Sequence, residues 1–215
     1  MRSNQIHDVV AILQKEIRQW RVPAIANYVE TPFTVLISCL LSLRTQDATT
    51  IAASERLFAI AKDPPKMLAT PVKTIEKAIY PVAFFRVKAR TIHEICRHLF
   101  ERFAGEVPPA LDDLLTLPGV GRKTANIVVT MAFRKHGIAV DTHVHRISNR
   151  LGYVRTKTPD ETEMALRRKL PKEYWIMYND LLVAYGQNLC KPVSPFCSRC
   201  KIAQYCRRVG VTISR

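Results

Sequence analysis

Apolar positions recur along this chain at spacings of three and four, and no stretch alternates convincingly, so the pattern predicts helices from end to end. Val9 to Trp20 forms the first helix. Thr31 followed by Pro32 reads as an N-cap with proline at the first helical position, opening a helix to Leu43. That segment is apolar almost all round, as a core element should be, and Thr34, Ser38 and Ser42 interrupt it well short of a membrane span. Thr45 to Ala61, Pro65 to Ala69, Val72 to Tyr80 and Val87 to Phe103 follow, separated by Asp63-Pro64-Pro65, Pro71 and Pro81. After Pro108-Pro109 come a short helix from Ala110 to Thr116, the turn Leu117-Pro118-Gly119-Val120-Gly121, and a helix from Lys123 through Arg134. Asp141 can cap a helix running to about Leu151, and Pro159 to Leu170 and Trp175 to Leu189 complete the set. The expected fold class is all-α, without internal repeats or low-complexity segments.

Length and composition add two constraints. At 215 residues, 47% of them hydrophobic and 24% charged, the chain can build one sizeable core or two small domains. Its first residues contain no apolar signal core, so a soluble, cytoplasmic protein is expected. The net charge of +15 is unevenly placed: residues 122 to 215 carry 18 basic and 6 acidic side chains. A surplus of that kind favours a polyanionic partner, of which nucleic acid is the usual one. Charge kept only for solubility is the simpler alternative.

The turn at Gly119 and Gly121 carries the most pointed chemistry. Two glycines let the backbone turn tightly and approach a ligand, and the amides of the following helix attract an anion. Two short helices joined in this way form a helix-hairpin-helix. Lys123 sits in the first turn of the second helix, where a desolvated amine could act as a nucleophile. Asp141 follows eighteen positions later. A close carboxylate raises a lysine pKa whereas burial and a helix N-terminus lower it, and sequence does not decide between them.

Four of the six cysteines, Cys190, Cys197, Cys200 and Cys206, form a C-x6-C-x2-C-x5-C segment. Four thiolates can hold zinc tetrahedrally or the corners of a [4Fe-4S] cluster, and this spacing alone leaves both open. Disulfides fit an intracellular chain poorly. Cys39 and Cys96 fall on apolar helix faces as inert, buried thiols.

The Leu117-to-Lys123 hairpin, the run Val140-Asp141-Thr142-His143 and the cysteine quartet, taken in this order, resemble the endonuclease III family of helix-hairpin-helix DNA glycosylases. Pro32-Phe33, Leu40-Leu41-Ser42 and Gly105-Glu106-Val107-Pro108 extend the resemblance over nearly the whole chain. It implies a six-helix barrel domain over 24–135, with the hairpin at about 110–134, and an iron–sulfur domain formed by 1–23 with 136–215. DNA would lie across the cleft between the domains, where Lys123 and Asp141 would face each other. It further implies a [4Fe-4S] cluster, not zinc, on the four cysteines. The implied function is a bifunctional DNA glycosylase and abasic-site lyase acting on oxidised pyrimidines in double-stranded DNA, working as a monomer in base excision repair. Lys123 would be the Schiff-base nucleophile and Asp141 the electrostatic partner. Gly119, Val120, Gly121 and Arg122 would clamp a phosphate. His143 matches the family run as a residue that orients the loop, and His145 reads as a surface residue.

Two positions depart from the family pattern. Arg44, within Leu41-Ser42-Leu43-Arg44-Thr45-Gln46-Asp47, stands where the family places a glutamine that enters the gap left by the flipped base. A plain phosphate contact suits Arg44 equally well; Phe84 corresponds to the leucine wedge inserted on the other side, although a core role for one of Phe84 and Phe85 fits the sequence better. Two other functions remain open. A mismatch-specific adenine or thymine glycosylase is disfavoured by the presence of Lys123 and by the lack of an acidic residue over 31–43. A non-catalytic helix-hairpin-helix DNA-binding module would use the hairpin and the cluster only for docking.

Overall fold

The computed structural model describes residues 2–20 and 30–215. Among them eleven α-helices form: α1 (Ile6–Glu16), α2 (Pro32–Ser42), α3 (Asp47–Ile60), α4 (Pro64–Ala69), α5 (Val72–Ile79), α6 (Phe85–Phe103), α7 (Leu111–Leu114), α8 (Arg122–Ile127), α9 (Thr142–Arg150), α10 (Pro159–Lys169) and α11 (Trp175–Asn188). No strand occurs among the described residues, and no helix there is long and apolar enough to cross a membrane. Contacts divide the chain into two compact units, Ala24–Lys135 and Met1–Pro23 with His136–Arg215. The junction expected between residues 23 and 24 lies outside the described residues.

In the unit Ala24–Lys135, α2 is the core. Its start is fixed by a reciprocal capping box: Thr31 Oγ1 accepts from the Thr34 amide at 3.2 Å, and the Thr31 amide donates to Thr34 Oγ1 at 3.0 Å. Every residue from Phe33 to Leu41 is buried, and each large aliphatic side chain among them contributes about 1.5–3 kcal/mol. The helices α3, α6 and α8 pack on it. The long α6 buries Ala89, Ile92, Cys96 and Leu99 at three- and four-residue spacing. It ends at a left-handed Ala104, where the Gly105 amide closes back to Leu99 O at 2.9 Å.

Three elements differ from their expected extents. The helix predicted from Ala110 to Thr116 is a single turn, Leu111–Leu114, because the Thr116 and Leu117 amides turn back to carbonyls three residues earlier. The helix predicted from Lys123 through Arg134 is α-helical only to Ile127 and widens into a π turn over Val128–Ala132. Thr130 Oγ1 donates to Asn126 O and Ile127 O at 2.9 and 3.1 Å, competing with the ladder where the helix widens. The first helix begins at Ile6, three residues before the expected Val9, because Ile6 belongs to the same buried stripe as Val9, Val10 and Leu13.

That stripe packs on α11 in the second unit, where α9 also lies along α11 and α10 along α9. Tyr178 and Tyr185 of α11 are fully buried, Tyr178 pairing its hydroxyl with Ser148 Oγ at 3.3 Å.

Candidate active site

The hairpin turn is built by two different glycine requirements. Gly119 has φ +72°, and a Cβ there would stand 2.9 Å from Thr91 Cγ2, so only glycine fits. Gly121 is the N-cap of α8 in extended backbone, and a Cβ there would meet nothing within 4 Å, which leaves its face open to a ligand. Val120 differs from its neighbours. Its side chain is core, and its amide donates to Leu117 O at 3.2 Å, so the amides left for an anion are those of Gly119 and Gly121. Arg122 and Lys123 follow, both half-buried, in the first turn of α8. Cys39 of α2 lies within electrostatic reach of Lys123: burial pushes this thiol up to about 12, and the Lys123 charge pulls the other way. Burial likewise pushes Cys96 up to about 12, as expected for inert core thiols.

Arg44 and Phe84 meet on the same unit. The guanidinium carbon of Arg44 stands 5.8 Å from the Phe84 ring centroid, a cation–π pair. Both residues are non-glycine with left-handed backbone, φ 55° and 58°, a conformation that costs on the order of 1–3 kcal/mol each. Phe84 is 60% exposed, whereas Phe85 is half-buried against Tyr80, so Phe84 is the outward ring of the two.

In the unit containing α9, Asp141 Oδ1 accepts from the backbone amides of His143 and Val144, both at 2.8 Å, and so caps α9. Both cap bonds use one oxygen, leaving Oδ2 outside the cap. His143 packs where α11 has no side chain: a Cβ on Gly186 would fall 2.2 Å from His143 Nδ1. Arg146 contacts His143 Nδ1 at 3.1 Å and donates to Cys190 O at 2.8 Å, joining the start of α9 to the cysteine segment. His145 is not the surface residue expected. It is half-buried and pairs with Thr162 Oγ1 at 2.7 Å.

All four cysteines of the quartet carry free thiols and line one pocket with Ile147 and Leu189. Hydrogen-bond donors reach the sulfurs: Arg150 Nη1 to Cys190 Sγ at 3.4 Å, Tyr185 Oη to Cys200 Sγ at 3.3 Å, and the Arg208 amide to Cys206 Sγ at 3.4 Å. Such donors suit sulfurs that carry negative charge, and an apolar wall suits a group held away from water. Arg150 also donates to Lys191 O and Pro192 O, each at 2.6 Å, setting the chain beside Cys190. Burial raises Cys200 and Cys206, so a metal group must displace their protons. Among the described residues no three His, Cys, Asp or Glu side chains gather as a site for a single metal ion.

Sequence reasoning passed over Lys88, Thr45, Arg150 and Gly186. Only Gly186 left a signal, a glycine inside a helical pattern directly after the apolar run Leu181 to Tyr185.

The family described as HhH-GPD superfamily base excision DNA repair protein matches residues 37–172. Endonuclease III of Thermotoga maritima is 48% identical over 181 residues, covering 84% of this chain and 85% of that protein. A solved non-covalent endonuclease III–DNA complex superimposes with a TM-score of 0.87 at 36% identity, over 97% of this chain and 96% of the other. A trapped endonuclease III–DNA covalent intermediate gives the same TM-score and identity, over 97% of both chains. The chain belongs to the HhH-GPD superfamily of base excision DNA repair proteins, in its endonuclease III branch.

Proposed function

We propose that this protein is a bifunctional DNA glycosylase and abasic-site lyase that removes oxidised pyrimidines from double-stranded DNA, with Lys123 as nucleophile. The observation that carries the reading is the half-buried Lys123 in the first turn of α8, directly after a glycine turn with two unspent amides. That a structural relative forms a covalent intermediate with DNA supports an amine nucleophile here.

The chemistry follows from what a primary amine can do. A base within a duplex is out of reach, so the damaged nucleotide is flipped, at a cost of roughly a few kcal/mol that is smaller for a damaged pair. Neutral Lys123 attacks C1′, the glycosidic C–N bond breaks, and the base leaves with a proton. Opening of the sugar ring gives an iminium between Lys123 and C1′. This electron sink acidifies C2′, and loss of that proton expels the 3′ phosphate by β-elimination. Water then hydrolyses the imine and frees Lys123. The Asp141 carboxylate stabilises the cationic charge that develops at C1′, while its Oδ1 keeps α9 capped. The Gly119 and Gly121 amides, with Arg122, hold a phosphate without reading sequence. Arg44 and Phe84 fill the space the flipped base leaves.

The four cysteines that line this apolar pocket, Cys190, Cys197, Cys200 and Cys206, would hold a [4Fe-4S] cluster through their thiolates. When bound it would fix the shape of the loop that carries the four cysteines, and no step of the base chemistry passes through it. Arg150 and Tyr185 hold the thiolates by hydrogen bonds.

Borohydride trapping tests the reading. The purified protein should form a covalent adduct with duplex DNA containing an abasic site or an oxidised pyrimidine, and Lys123→Gln should form none. Absence of an adduct from the cluster-loaded wild type would falsify the assignment and leave a DNA-docking module.

A further inference from the structure

We infer that Lys88 and Thr45 are positioning residues that hold Arg44 and Phe84 as one preformed wedge for the DNA. Lys88 lies in the first turn of α6 and is only 6% exposed. Its ammonium donates to Leu41 O at 2.8 Å, to Leu43 O at 2.6 Å and to Thr45 Oγ1 at 3.3 Å. All three N–H groups are therefore spent inside the protein, and none is left for a phosphate. Two of the acceptors are carbonyls at the C-terminal end of α2, which lack helical partners and form the negative end of that helix.

Thr45 carries the link across to the other half of the wedge. Its hydroxyl donates to Leu43 O at 3.2 Å and accepts from the Ala83 amide at 3.2 Å. Arg44 is thus clamped between two tied residues, Leu43 and Thr45, and Phe84 follows directly on the tied Ala83. The Phe84 carbonyl in turn accepts from the Lys88 amide at 3.0 Å. Left-handed backbone at an arginine and a phenylalanine persists only where surrounding contacts over-determine it, and this network supplies those contacts. The consequence is kinetic: side chains ordered before DNA arrives need no ordering when the base leaves the stack.

The inference rests on the proposed glycosylase reading, and two substrates separate the two. Base release is measured under single-turnover conditions from duplex DNA with an oxidised pyrimidine, and borohydride trapping is measured on a single-stranded abasic-site oligonucleotide, which has no stack to open. Lys88→Met and Thr45→Val should each slow duplex release by roughly tenfold or more, yet trap on the single strand within about twofold of wild type. Thr45→Ser, which keeps the hydroxyl, should restore the duplex rate, and Phe84→Ala added to Lys88→Met should cost little more than Lys88→Met alone. Unchanged duplex rates, or equal losses on both substrates, overturn the positioning role of Lys88 and Thr45. Failure of the wild type on both substrates overturns the glycosylase reading itself.

Discussion

Asp141 Oδ1 receives the His143 amide at 2.8 Å, so the carboxylate proposed for catalysis is also the N-cap of α9. The two duties separate by substitution. Asparagine caps a helix about as well as aspartate but carries no charge, whereas alanine does neither. Asp141→Asn should therefore melt close to wild type while slowing base release by roughly 100-fold or more. Asp141→Ala should lose a further ~1 kcal/mol of stability. Urea denaturation alongside single-turnover kinetics reads both effects.

Gly186 should be intolerant of even one methyl group. A Cβ there would run into the His143 ring and stand 2.9 Å from Arg146 Nη2, so the added methyl must displace both side chains. Gly186→Ala should destabilise by roughly 1–3 kcal/mol, and His143→Ala in the same chain should recover part of the loss through non-additivity. A denaturation cycle over the four variants checks this, and simple additivity would count against the steric account.

Lys88 gives the stability a defined pH dependence. Burial lowers its amine to about 8 from an ordinary 10.5. Between those values the unfolded chain holds the proton and the folded protein has released it, so the unfolded state binds more protons and the Lys88 contribution rises with pH. Below about 8 both states are protonated and the full penalty of burying the charge is present. The stability difference between wild type and Lys88→Met should therefore shift in favour of wild type between about pH 8 and 10.5. A flat difference would mean that the ammonium is not desolvated as its burial implies.

Removal of the proposed cluster should unsettle one unit and spare the other. Cys190, Cys200 and Cys206 pack against the core cluster that includes Ile147, Tyr185 and Leu189, so loss of the group that ties the four sulfurs together would loosen that wall. Hydrogen exchange after oxidative stripping and chelation should show faster amides around Tyr185 to Cys206, with α2 and α6 still protected. Uniform deprotection of both units would contradict this division.

Much of the fold was legible because its determinants are local. Thr31-Pro32 and Thr158-Pro159 carry their own N-caps, and both helices begin at those prolines. The buried stripe of α6 is written in its three- and four-residue spacing. Where the expectation fell short, a side chain had intervened: Thr130 competes for carbonyls at the widened turn after α8, and His145 finds Thr162 in place of solvent. Phe84 and Phe85 could not be told apart by pattern, since being adjacent in sequence does not say which ring the packing leaves outside.

The sequence alone determined the helices, the glycine turn before Lys123, the cap at Asp141 and the cysteine spacing, because each depends on neighbours within a few positions. Only the tertiary structure decided that Lys88 would tie the turn bearing Arg44 to the segment bearing Phe84, and that Gly186 would make room for His143. Those relations join residues some forty positions apart, where packing and buried hydrogen bonding set the geometry.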